Sequence, residues 1–488
     1  MSELIKQLGY ALVVIVLTTI FYRFNTKQQL SFPIVNSYCG DRDQKKAHQQ
    51  YQANAKELIA NGIKDHGSPI VIKTPQGTKL ILPSSLTEWV KNNKDLDHVE
   101  HVKEDYFSGY PGFDGQTALH HPSHILTTVI KSKLSKNDGA VPVLNAHIVE
   151  ALGQRWTESE AWHAIDWHQD TTSIVSTAAA SIFVGPRLAK NQEWVDLTVT
   201  YVLDFFTAIG QLHQWPASLR PIAQRFNALS NRCRSNMKRA RIIMQEENVK
   251  RNADRANSHV DYNDAFEWIT KAAGGRPVDM AAQQLGLGVA ALFTTSEALR
   301  QTILEIAAHP DLISSLREEI EQAVLESGWT MAALFKMKLL DSVMKEGQRT
   351  LPPIVSLERK ALRDTIMPDG GKVPKGTHIA VDSSLMWDEN IYNSAKTFKG
   401  HRYLELRDSG ASSQVFTASS KEHTSFGLGR SICPGRFFAD TELKLCLAHM
   451  LLNYDLRLQE GYKPKPMYSG FYGMVDPFAK IEVRRVHK

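Results

Sequence analysis

The stretch Ser425 to Asp440, SFGLGRSICPGRFFAD, sets one thiol, Cys433, in a turn of glycines and a proline ahead of a helix-like run. A glycine-rich turn entering a helix presents free backbone N–H groups and the positive end of the helix dipole. Such donors stabilise a thiolate and lower the thiol pKa, which equips Cys433 as a metal ligand or a nucleophile. A buried structural cysteine is the plainer reading of the same residue. A zinc site is disfavoured, because no second cysteine or histidine stands at ligand spacing. A cysteine-dependent hydrolase needs a histidine base, and the loop itself provides none. Cys446, on the helix that follows, reads as core.

Other residues could also do chemistry. Glu346 and Arg349 form a Glu-x-x-Arg pair on a polar–apolar helix, Lys336 to Thr350, ended by Leu-Pro-Pro. Alone such a pair means little, since i,i+3 charges decorate many solvated helices. Met280 to Ala308 reads as a long, mostly apolar helix with Gly286, Gly288 and the pair Thr294-Thr295 inside it. An interior glycine costs about 1 kcal/mol relative to alanine, so two of them predict a close approach to that backbone. His120 and His124 are at i,i+4, but Pro122 between them breaks a helix and no glutamate partner accompanies them. The basic run Arg232 to Arg255 reads as the solvated face of a helix. It lacks the interleaved aromatics of a nucleic-acid surface.

These residues must be positioned by a chain of 488 residues with 42% apolar side chains, enough for a large core. A net charge of +5 is mild at this length and excludes a strongly cationic nucleic-acid binder. Four scattered cysteines make no disulfide framework and point to a reducing compartment. No repeat or low-complexity linker divides the chain after residue 40, so one large domain is expected. PIVIKTPQGTKLIL predicts a hairpin from Pro69 to Leu82, and helical periodicity dominates from Asn145 to Ser327. Leu8 to Tyr22 is an uncharged apolar run followed by Arg23 and Lys27. It is read as a signal anchor rather than a cleaved signal peptide, with the main body in the cytosol by the positive-inside rule.

Phe426-x-x-Gly429-x-x-x-Cys433-x-Gly435 resembles the haem-binding loop of the cytochrome P450 monooxygenases. Glu346-x-x-Arg349 matches that family's Glu-x-x-Arg, and Arg402 in FKGHRY matches the arginine that completes its buried network. The likeness covers nearly the whole chain and is nearest to fungal kaurene oxidase-like enzymes. It implies the cytochrome P450 fold, mainly α with small β-sheets, behind a transmembrane anchor: residues 1–30 as anchor and 31–488 as catalytic domain. It also implies haem b, with Cys433 as the axial ligand of its iron, and Phe426, Gly429, Arg430 and Gly435 around it. Glu346, Arg349 and Arg402 would be structural, and Arg359 a haem-propionate partner. Thiolate ligation pushes electron density onto the iron and favours O–O cleavage.

The sequence departs from the family pattern at informative places. Ser431 stands where a basic residue is usual two before the cysteine, with Arg430 one place earlier; Arg430 is expected to take over that contact. The usual Trp-x-x-x-Arg is missing, and Lys131 is the expected substitute. Thr294 falls on the family's proton-steering threonine, but Phe293 replaces the acid beside it, so Glu297 is a stand-in. Thr294 and Thr295 are the candidate catalytic residues, and the alternative for Thr294 is a bond back to its own helix. Ala291, Thr294, Thr295 and Pro352 to Ser356 are expected to wall the pocket, and Arg436 and Lys444 to attract an electron donor. The implied activity is oxidation, hydroxylation by default, of a bulky apolar terpenoid or polyketide-derived metabolite. O2 and NADPH electrons would be delivered through a reductase, with cytochrome b5 as an optional second donor, at the endoplasmic reticulum membrane. Desaturation or ring expansion is the runner-up, because Phe293 removes the acid, and a non-catalytic haem carrier or sensor is the alternative of another class. No nucleic-acid partner is expected.

Overall fold

The alternating run around Pro75-Gln76-Gly77 folds as the expected hairpin. Strand β1 (Ile70–Thr74) pairs antiparallel with β2 (Gly77–Leu82), Ile70 opposite Ile81 and Thr74 opposite Gly77. The computed structural model describes residues 30–67, 69–136, 138–258, 260–411 and 414–486; the expected anchor Leu8 to Tyr22 lies outside them. The hairpin is one side of a five-stranded sheet. Its other members are β3 (Leu96–Asp97), β4 (Val355–Ala361) and β5 (His378–Asp382), in the order β1-β2-β5-β4-β3. Only β2 and β5 run parallel, which their long separation in sequence permits. Helix α1 (His98–Asp105) packs on β4.

The rest is chiefly helical. Helices α2 (Asp114–Leu119), α3 (Trp167–Phe183), α4 (Gln192–His213) and α5 (Ala228–Ser258) surround the long α6 (Met280–Ala308). Helix α7 (Lys338–Thr350), α8 (Arg402–Asp408) and α9 (Arg436–Asn453) lie toward the C-terminus. At 1.5 Å per residue α6 is about 43 Å long, and Asp279 caps its start by accepting from the Ala282 N–H at 3.1 Å. The glycine expectation has a definite outcome. A Cβ on Gly286 would sit 2.7 Å from the Gly115 carbonyl oxygen, and one on Gly115 would sit 3.0 Å from the Gly286 nitrogen. What approaches that backbone is α2, crossing glycine to glycine. A Cβ on Gly288 would meet Thr198 of α4 at 2.9 Å.

Two expectations about charge are corrected. The basic run on α5 is not wholly solvated: Arg251 is buried, donates to Glu247 and Asp264 and to the Val184 carbonyl, and lies over the Phe266 ring. A guanidinium can be buried there because carboxylates and a carbonyl meet its donors. Lys444 is likewise buried and paired with Asp341 at 2.8 Å and Asp440 at 3.0 Å, so it offers no charge to an electron donor. Residue 444 lies on the face of α9 that packs inward.

One turn before Cys446, Glu442 is fully buried and neither carboxylate oxygen has a hydrogen-bond partner among the described residues. Burial holds its carboxyl up at about 8, whereas an unfolded glutamate titrates near about 4.3. Between those values the native chain keeps a proton that the unfolded chain has released, so stability falls as pH rises and levels off above the window. Glu442→Gln removes that slope. Urea midpoints of the two proteins converge near about pH 4, and the variant becomes the more stable toward pH 8, by up to about 1.4 kcal/mol per pH unit. Parallel profiles between pH 5 and 8 would contradict a protonated Glu442.

Candidate functional site

Cys433 is held by a turn that only glycine can make at its key points. Gly427 and Gly429 have φ of 71° and 65°, and a Cβ on Gly429 would lie 2.8 Å from Lys91 Cγ. Within the turn the Cys433 N–H donates to the Phe426 carbonyl at 2.8 Å and Ile432 N–H to Gly429 at 3.2 Å. Phe426 is fixed in turn by an edge-on contact with Phe416 at 5.3 Å. Gly435 precedes the first residue of α9, and no heavy atom would touch a Cβ placed on it. The Gly435 and Arg436 N–H groups point to the Cys433 sulfur, as expected of a loop entering a helix. The expected net effect is nevertheless corrected: burial outweighs these donors and the thiol pKa is raised, not lowered. Arg436 is folded back, donating from Nη1 to the Cys433 carbonyl at 2.9 Å. Ser135 donates to the Pro434 carbonyl at 2.8 Å, tying the loop to the segment that follows the Lys131 helix.

Glu346, Arg349 and Arg402 come together in the interior. Arg349 donates from Nε and Nη2 to the two carboxylate oxygens of Glu346, each at 2.8 Å, and Arg402 Nε donates to Oε1 at 2.9 Å. The remaining guanidinium nitrogens bind main-chain carbonyls: Arg349 those of Met386 and Ala395, Arg402 those of Asn393, Ser394 and Thr397. The pair on α7 is therefore no surface decoration.

Arg359 on β4 has the opposite character. It is 5% exposed, forms no ion pair among the described residues, and spends only Nη1 on the adjacent Glu358 carbonyl at 2.8 Å. Burial, opposed by the pull of Asp97 and helped by a smaller repulsion from Arg430, pushes its pKa down to about 10. Arg430 donates Nη2 to the Asn93 carbonyl at 3.0 Å and has no carboxylate partner among the described residues, and neither has exposed Lys131. Burying a guanidinium without an anion is costly. This excess of positive charge beside the Cys433 loop is what the carboxylates of a haem would neutralise, so the residues fit that group.

The middle of α6 carries an open stripe. Ala290, Phe293 and Thr294 are exposed although the helix around them is buried, and they share one face by the i,i+3,i+4 rule. Phe293 lies 5.9 Å from the Phe206 ring of α4, which in turn meets Tyr106 at 6.1 Å. Neither Phe206 nor Tyr106 carried a signal in the sequence, since only the fold brings α4 over α6. The Thr294 hydroxyl donates to the Ala290 carbonyl at 3.0 Å, which is the back-bonded alternative. Two expectations are corrected. Thr295 is buried, because one step along a helix turns its side chain away from the stripe. Glu297 is not a free acid: it is ion-paired with buried Arg300, which also donates to the His168 carbonyl at 2.7 Å.

The chain matches the Cytochrome P450 family over residues 120–484. Among curated proteins it is 32% identical over 493 residues to the cytochrome P450 monooxygenase adrA of Penicillium rubens, covering 96% of this chain and 95% of that protein. It is 33% identical to the cytochrome P450 monooxygenase hepE of Aspergillus oryzae, over 89% of this chain and 82% of that one. A dideacetyl fusicoccin A C-19 hydroxylase of Phomopsis amygdali is 30% identical, over 93% and 88% of the two chains. With the loop, the buried glutamate network and the open helix stripe in one body, this protein belongs to the cytochrome P450 family and is a monooxygenase.

Proposed function

We propose that the protein hydroxylates a bulky apolar secondary metabolite, terpenoid or polyketide-derived, in a catalytic domain spanning residues 31–488. NADPH electrons arrive through a separate reductase, with cytochrome b5 as an optional second donor. In this reading residues 1–30 anchor it in the endoplasmic reticulum membrane with the body in the cytosol. The observation that carries the reading is the open apolar stripe of Ala290 and Phe293 beside Thr294, in the middle of an otherwise buried helix. A relative named as a dideacetyl fusicoccin A C-19 hydroxylase supports hydroxylation as the outcome.

Haem, when bound, supplies oxidation of unactivated C–H bonds, which no side chain can perform. The chain's own residues do the rest. Cys433 Sγ would hold the haem iron, and the Gly435 and Arg436 N–H groups aimed at the sulfur would temper its donor strength. Burial favours the protonated form of the free thiol, so holding a metal there would cost that proton. Arg359, with Arg430 and Lys131, would receive the carboxylates of the haem. Phe293, Phe206 and Tyr106 orient the apolar substrate and exclude water. Thr294 Oγ, its hydrogen given to Ala290, keeps lone pairs free to hold a water and pass its proton. A second reading follows from Phe293 and from the pairing of Glu297 with Arg300: with no acid beside Thr294, the oxidation ends in desaturation or ring expansion.

Cys433→Ser abolishes the thiolate signature of the reduced, CO-bound spectrum; an unchanged Soret position would falsify the ligand assignment. Thr294→Ala leaves that spectrum intact and lowers product formed per NADPH consumed several-fold, and unchanged coupling would assign proton handling elsewhere. Arg349→Lys loses the two-pronged contact with Glu346, and haem per polypeptide drops at least tenfold on purification. Full haem occupancy in that variant would make the network dispensable.

A further inference from the structure

A second cluster of ligand-type side chains lies between α1 and the sheet. Across three strands, Lys79, His378 and Lys360 stand in one row, for Lys79 pairs with His378 and His378 with Lys360. Over that row α1 presents His101, Glu104 and Asp105, which share a face by the i,i+3,i+4 rule. The Nδ1 atoms of His101 and His378 face each other at 2.8 Å, with ring centroids 5.0 Å apart, so the nitrogens meet nearly head-on. Each ring turns Nε2 toward carboxylate. His101 Nε2 is 3.6 Å from Asp105 Oδ2 and 3.7 Å from Glu358 Oε1, and His378 Nε2 is 3.3 Å from Glu104 Oε2.

With Nε2 of each ring turned toward carboxylate, the two Nδ1 atoms are left facing each other, and either a hydrogen on one of them or a metal ion taken by both lone pairs satisfies that contact. Asp105 Oδ1 stands 3.7 Å from His378 Nδ1 and supplies a third donor; one ligand atom from each of these residues lies within 4.8 Å of the others. Lys79, buried in the same cluster, binds Asp105 Oδ2 at 2.9 Å and Glu358 Oε1 at 2.7 Å, which backs the carboxylates and leaves Oδ1 facing the histidines. Lys360 pairs with Glu104 in the same way.

We propose that His101 Nδ1, His378 Nδ1 and Asp105 Oδ1 bind a divalent transition-metal ion of the zinc class, separate from the haem site. Two imidazoles and a carboxylate form a zinc donor set, with water in the fourth position. A carboxylate behind each liganding imidazole fixes its tautomer and raises its basicity. At tetrahedral zinc two imidazole nitrogens stand about 3.3 Å apart with the metal to one side of the line between them, so loading opens the pair by about 0.5 Å and tilts each ring by roughly 35° to bring the lone pairs together. The shared proton is the competing cation, and metal binding displaces it. The ion clamps α1 to the sheet next to the pocket. Tyr106 directly follows α1 and packs on Phe206, and His213 at the end of α4 bonds the Asp105 carbonyl at 2.8 Å.

Holoprotein freed of loose metal with a chelator is titrated with Zn²⁺ at pH 7.5 by calorimetry, while the haem spectrum reports an intact fold. One equivalent binds at micromolar or lower Kd, binding weakens as pH falls to 6, and Tm rises on loading. His378→Gln loses at least 100-fold in affinity, and Glu104→Gln loses about 10–100-fold. Wild-type protein that takes up no stoichiometric Zn²⁺ has only the shared proton between its histidines, and the proposal fails. Equal affinity in His378→Gln overturns it as well. Cu²⁺-loaded wild type read by pulsed EPR requires no variant: coupling to two imidazole nitrogens supports the site, and one or none overturns it.

Discussion

The carboxylate of Glu346, wholly out of water, receives Arg349 on both oxygens, Arg402 on one, and the Lys399 N–H at 3.1 Å. Each guanidinium then reaches past the carboxylate to main-chain carbonyls between Met386 and Thr397. That segment is mostly irregular, so its buried carbonyls have no helix or sheet ladder to satisfy them. The arginines take that role, and the single anion makes their burial tolerable. Remove one member and the others become uncompensated charges in a low-dielectric interior, typically a loss of about 3–5 kcal/mol. The chain between this network and Cys433 inherits its position from it.

Charge elsewhere divides into paired and unpaired groups, and the division is informative. Arg251 and Lys444 are buried against carboxylates on neighbouring elements, and Arg300, paired with Glu297 on its own helix, reaches α3 through the His168 carbonyl and Thr171, so all three bind elements together. Arg359 is as deeply buried and forms no ion pair among the described residues. Buried Lys345 also lacks an ion pair there, but it gives its ammonium to the Val415 and Ala418 carbonyls, whereas Arg359 spends only Nη1 and stands beside a glycine-built thiol loop, an arrangement that suits a ligand bearing carboxylates. The same logic applies to α6, where an exposed Ala290-Phe293-Thr294 stripe is costly unless something apolar covers it.

Much of this was legible in the residues. The hairpin, the extent of α6 and the helix of Glu346 follow from hydrophobic period and turn residues, because those signals act within a few residues of chain. Cys433 and its glycines were legible for a related reason: a tight turn with positive φ at Gly427 and Gly429 is local geometry. Lys444 and Arg251 were misjudged because a charged residue in a helix looks solvated until its carboxylate partner, far away in sequence, is packed against it. Thr295 and Glu297 differ from Thr294 only by rotation about the helix axis, and rotation relative to neighbours is set by packing.

By itself the sequence determined which chemistry is available: a thiol in a helix-entering turn, a threonine in a long apolar helix, and a Glu-x-x-Arg pair with a later arginine. Those depend on residue type and short-range geometry. Only the tertiary structure decided which charges lost their water and which found partners. It left Arg359 without an ion pair among the described residues, tied Glu297 to Arg300, raised the Cys433 thiol pKa by burial, and brought His101 to His378. Desolvation and long-range pairing belong to no single segment of chain, and here they decide which of the available groups can act.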